Sequence, residues 1–143
     1  DSFRQKAKEA DQVDMTAYTL LAVLATGRLP KGAVSAEEFS DPRLRALCEA
    51  LLAGESAAAL MESQPDDQGR AAVGAILNVQ TDADDAGLMR MAQDCIQRMR
   101  RIRLEKELEE IQRSLPNLPE GERAAQTERA MRLMQQLRQT ELP

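Results

Sequence analysis

Apolar residues recur at Leu88, Met91, Cys95, Met99 and Ile102, steps of three and four that hold one stripe on one side of a helix. Continued downstream, that stripe would bury Lys106 and Glu109. A second stripe begins instead at Leu104, Leu108, Ile111 and Leu115, on a different side of the rod if the helix stays regular. No Pro or Gly lies between Leu88 and Leu115, so the pattern predicts one continuous rod with two apolar faces and two packing partners. Leu115-Pro116-Asn117-Leu118-Pro119 breaks the rod, and a terminal helix returns along its second stripe.

Upstream, Met15, Tyr18, Leu20, Leu21, Val23 and Leu24 leave little polar surface before Gly27. A helix apolar on nearly every side is buried on nearly every side, and Asp14 is placed to cap it. Ser35 and Glu38 have capping-box spacing ahead of Phe39, and Asp41 before Pro42 marks another helix start. That helix is expected to bury Leu44, Leu47, Cys48, Leu51 and Leu52 up to Gly54. A shorter helix over residues 56–62 follows, and then one opened by Asp66 or Asp67 with Ala71, Val73, Ala75, Ile76 and Leu77 apolar. Asp82 and Asp84 suit the positive end of the long helix. No segment alternates with the period of a strand. The expected fold is all-α: residues 1–14 a linker or frayed helix, 15–101 a helical bundle, and 102–143 a helical hairpin.

Composition agrees with close-packed helices. Of 143 residues, 43% are apolar but only 2% aromatic, so the interior must be Leu, Ala, Val, Ile and Met. Nineteen basic against twenty-four acidic residues give a net charge of −5, opposite to the balance of a nonspecific nucleic-acid binder. The basic cluster Arg98, Arg100, Arg101, Arg103 and Lys106 encircles the helix without interleaved aromatics, and reads as a solvated collar, with a weak contact to nucleic acid or an acidic partner as the alternative. No apolar run reaches the ~18 residues of a membrane span and no cleavable signal is visible, so a cytoplasmic protein is expected. Beginning at Asp1, the chain is expected to be part of something larger.

Chemistry is sparse. There is no histidine, Gly-rich phosphate loop, serine elbow or Cys-x-x-Cys. Cys48 and Cys95 read as buried, reduced thiols, with a disulfide between them as the alternative. Glu105 and Glu109 share a face, where a solvated, salt-bridged surface explains them more simply than a metal does. No catalytic residue, metal or cofactor is assigned.

The terminal helix carries Ala124, Thr127, Ala130, Met131, Leu133, Met134 and Leu137 over an arc of roughly 200°, whereas one packed face needs only ~100°. Equal rise from a turn near Asn117 sets Glu105 opposite Arg129 and Leu104 opposite Ala130. The surplus apolar arc, flanked by arginines, marks Leu118, Arg123, Thr127, Met131, Met134 and Arg138 as candidate contacts for another protein.

The order of elements resembles a known family. The buried Leu20-Leu21 helix is followed by Glu38-Phe39-Ser40-Asp41-Pro42-Arg43-Leu44-Arg45-Ala46-Leu47. Then come the long helix with Arg103-Leu104-Glu105-Lys106-Glu107-Leu108-Glu109-Glu110-Ile111, a short turn and a terminal helix. Together these look like the C-terminal helicase-interaction domain of bacterial DNA primases, over about Met15 to Leu142. The resemblance implies a non-catalytic domain whose helical bundle and C-terminal hairpin bind the N-terminal domains of the hexameric replicative helicase, coupling primer synthesis to the fork. Zinc-binding and catalytic residues belong to other domains of that family. Two alternatives stand beside it: the similar N-terminal domain of the replicative helicase, and an unrelated helical adaptor or small carboxylate enzyme.

Overall fold

The computed structural model of the chain describes residues 15–141. The reading of residues 1–14 as a linker, and of Asp14 as a cap, lies outside the described residues. Within them the fold is all-α, with no strand: α1 over residues 15–25, α2 Pro42–Leu52, α3 Ala57–Ser63, α4 Asp67–Leu77, α5 Asp85–Ser114 and α6 Glu120–Glu141. Single 3-10 turns occupy Ala36–Glu38 and Leu115–Asn117. The chain divides into two compact units, Asp1–Ile96 and Gln97–Pro143, and α5 supplies residues to both.

In the first unit, α1 is the most deeply covered element. Ala17, Leu20, Leu21 and Val23 are all but inaccessible, as the lack of a polar face on that helix requires, but Met15 in its first turn is 61% exposed, against expectation. Gly27 ends it with φ of +70°, a conformation that costs a residue with a Cβ. The following loop is tied down by Arg28, whose Nε donates to Asp85 Oδ1 at 2.8 Å and whose Nη1 donates to the Ala83 carbonyl at 3.0 Å.

Helix starts follow the side-chain signals closely. Asp41 accepts from the Arg43 amide at 2.8 Å with Pro42 in the first helical position, Ser56 accepts from the Ala59 amide at 3.1 Å, and Asp84 accepts from the Gly87 amide at 2.7 Å. One signal resolves differently. Ser35 caps the 3-10 turn through the Glu37 amide at 3.2 Å rather than the Glu38 amide of a capping box. In so short a turn the Glu38 amide is already bonded to the Ser35 carbonyl at 3.1 Å. Phe39, directly after it, is buried, and its carbonyl accepts from Arg45 Nε and Nη2 at 3.1 and 2.9 Å.

Helix α2 buries Leu44, Leu47, Cys48 and Leu51, but Leu52 is 47% exposed, against expectation. Helix α4 buries Gly69, Ala72, Val73 and Ile76, while Ala71 is exposed and Leu77 is 53% exposed. Both misplaced leucines fail for one geometric reason. Each is one residue past the end of its stripe and roughly 90° from its centre, on the flank of a last turn. Cys48 and Cys95 are free and buried, and burial pushes the Cys48 thiol up to about 11.

Asp66 ties two helices of this unit together. Its Oδ1 accepts from the Gly69 amide at 2.7 Å to start α4, and Arg43 from α2 grips both oxygens at 2.8 and 3.2 Å. Chiefly the Arg43 hydrogen bonds, and next the Gly69 amide, hold Asp66 below the usual carboxylate range. A Cβ at Gly69 would meet Gln64 Oε1 at 2.5 Å, Gln64 Cβ at 3.1 Å and Arg43 Nη1 at 3.2 Å, so the Gln64 side chain would have to shift to admit one.

Leu21→Ala should therefore cost ~2 to 5 kcal/mol in urea unfolding, the range for deleting a large side chain from a closed site. Asp66 adds a pH signature. A carboxylate with a lowered folded pKa stabilises fully above its ordinary value of 3.8, and that stabilisation is lost as pH falls through the lowered one. Asp66→Asn keeps a capping side chain but removes the charge. Its urea midpoint should consequently fall less steeply than the parent's over that acid window.

Candidate functional site

The second unit is the antiparallel pair formed by the end of α5 and α6. Its seam is narrow: Ile111, Ala130 and Leu133 are buried, and Leu104, Leu108 and Leu115 pack against them. The turn is built as its prolines require. Leu115–Asn117 form a 3-10 turn closed by the Leu118 amide on the Leu115 carbonyl at 3.2 Å, and the Arg123 amide meets the Pro119 carbonyl at 2.8 Å as α6 begins. On α6 the covered positions are Gln126, Arg129, Ala130, Leu133 and Leu137, spaced by three and four. Ala124 and Thr127, which the sequence counts as part of the apolar arc, are exposed. The Thr127 hydroxyl donates to the Arg123 carbonyl of its own helix at 2.8 Å.

The cross-helix ion pair differs from expectation. Arg129 Nε and Nη2 each reach Glu107 Oε1 at 2.9 Å, while Glu105 accepts from Arg101 of its own helix at 2.9 Å. Height along the helices alone does not choose the partner. Flanks that lie to the same side of their seams meet in an antiparallel pair, and at ~100° per residue Glu107 and Arg129 each lie roughly 70° to one side. Glu105 lies roughly 90° to the other.

This geometry sorts the candidate contact residues onto two edges. Arg123, Thr127, Met131, Met134 and Arg138 all lie between ~50° and ~130° to the Glu105 side of the α6 seam, forming one strip. Met131 is 62% exposed and Met134 is 37% exposed, and the two arginines bracket them along the helix. Nearby carboxylates on α5 are engaged within that helix, Glu105 by Arg101 and Glu109 by Arg113 at 2.9 Å. Arg123 also donates to the Leu118 carbonyl at 3.0 Å, which bridges the turn to the start of the strip.

Leu118 itself belongs elsewhere. Its half-buried side chain lines an open groove of about 530 Å³ on the Glu107 edge. Ile111 and Ala125 share that floor, and Glu107, Glu110 and Glu122 rim it. The sequence reading missed this groove because its acidic residues come from separate turns of two helices, and no spacing within one helix reveals them.

The described residues hold no group of three or more Cys, Asp or Glu side chains placed to bind a metal, and no helix long and apolar enough to cross a membrane. What the unit offers is surface: a methionine strip on one edge and an acid-rimmed groove on the other. No known protein family, characterised protein or solved structure matches the chain.

Leu133 and Met134 are sequence neighbours with opposite surroundings, 0% and 37% exposed. Leu133→Ala should lower the stability of the hairpin by ~2 to 5 kcal/mol and Met134→Ala by less than ~1 kcal/mol. Hydrogen exchange of the α6 amides is the appropriate measurement, since it reports opening of this unit separately from the other.

Proposed function

We propose that the chain is the helicase-binding domain of a bacterial DNA primase, a cytoplasmic, non-catalytic module that docks on the N-terminal domains of the replicative hexameric helicase through its hairpin. The observation that carries this reading is the exposure of Met131 and Met134 on a strip bracketed by Arg123 and Arg138. Flexible thioethers adapt to a partner's apolar surface, and guanidinium groups at the rim set orientation by pairing with carboxylates. The order of the elements, a buried first helix, short capped helices, a long helix and a returning terminal helix, also supports the reading. In this reading the hairpin makes the contact with the helicase. Zinc binding and primer synthesis would reside in other parts of such a primase.

Calorimetry against an isolated N-terminal domain of a replicative helicase tests the proposal directly. Met131→Asp or Met134→Asp should weaken binding by more than ~1 kcal/mol, roughly fivefold, because interfaces concentrate their free energy in a few anchors. Helix content by circular dichroism should not change, since both side chains are exposed. A chain that ignores helicase and instead binds primase would belong to the helicase side of the pair.

A further inference from the structure

The opposite edge of the hairpin carries a second kind of surface. The groove over Ile111, Leu118 and Ala125 is apolar at its floor and rimmed by Glu107, Glu110 and Glu122, which come from both helices. Glu107 shows what suits the rim, because a guanidinium from Arg129 already sits on it with two donors at 2.9 Å. Glu110 and Glu122 form no ion pair with a described residue. No lysine or arginine lines the groove, so its carboxylates favour positive charge over it.

We propose that this edge docks a basic amphipathic segment of a partner protein, one that seats a large aliphatic side chain on Ile111, Leu118 and Ala125 and sets lysine or arginine against Glu110 and Glu122. Charge complementarity chooses that occupant. A groove of about 530 Å³ with an apolar floor rewards a leucine-sized anchor, and two unpaired carboxylates reject an acidic segment. Solvated ion pairs alone contribute little, so the apolar anchor and the charges are both required. The carboxylates do not gather around a point where a metal ion would sit. This surface is separate from the methionine strip and does not depend on the helicase reading.

The test is an NMR titration of the whole chain with a short helical peptide that carries one leucine stripe flanked by lysines. The same peptide with glutamate for every lysine is the control. Amide signals of Ile111, Leu118 and Ala125 should move while those of Met131 and Met134 stay, and added salt should weaken the effect. Glu110→Lys with Glu122→Lys should reduce affinity ~10-fold, and Glu110→Gln with Glu122→Gln should reduce it by less. Circular dichroism of both variants should match the parent, because these carboxylates are exposed. Met131→Asp should leave the titration unchanged, which separates this proposal from helicase docking. Equal binding of the glutamate peptide, full affinity of the lysine variants, or shifts confined to the methionine strip would each overturn the proposal. The same shifts with spermine alone would replace it by simple cation capture. Self-association that the lysine variants abolish would replace it by a second copy of the chain.

Discussion

The hairpin depends on one narrow seam, in which Leu133 is wholly enclosed between Ile111 and the leucines of α5. Within this unit each helix has a single neighbour, so each can hide only about 100° of its circumference. Everything outside that arc must be polar, or apolar for another purpose. On α6 the sequence places more apolar residues than the seam can cover, and the excess falls to one side as Met131 and Met134. The arrangement of the two edges therefore follows from the seam. Once Leu133 and Ala130 face α5, the strip and the groove have nowhere else to lie.

Local signals in the sequence specify much of this fold because they act through neighbours in the chain. Asp41, Ser56, Asp66 and Asp84 each accept a backbone amide two or three residues ahead, a contact that does not wait for tertiary structure. The stripes of α5 and the proline-flanked turn are legible for the same reason. Exposure at the flanks of a stripe is not. Leu52 and Leu77 look like core from spacing alone, yet whether a flank residue is covered depends on how far a neighbouring helix extends past the last turn.

The candidate site was legible in part. Exposure of the two methionines follows from counting apolar positions against what one partner can cover. The choice of Glu107 over Glu105 for Arg129 required knowing on which side of the seam each residue stands, which equal rise about the turn does not provide. Leu118 shows the same limit. It lies in the turn, where no helical period applies, and only the folded backbone assigns it to the groove rather than the strip. The groove escaped sequence reasoning altogether, because Glu110 and Glu122 become neighbours only when α6 folds back.

Charge along the hairpin acts less through stability than through selection of partners. Pairs such as Arg101 with Glu105 and Arg113 with Glu109 are exposed and one helical turn apart, where each contributes a few tenths of a kcal/mol at best. Their larger effect is to neutralise the α5 side of the methionine strip, which leaves Arg123 and Arg138 to set the sign of its rim. No lysine or arginine lines the groove, so its rim stays negative. Two edges of one hairpin thus present apolar surface beside charges of opposite sign. A partner suited to one edge would meet like charge at the other, a repulsion that would keep two such surfaces from competing for the same ligand.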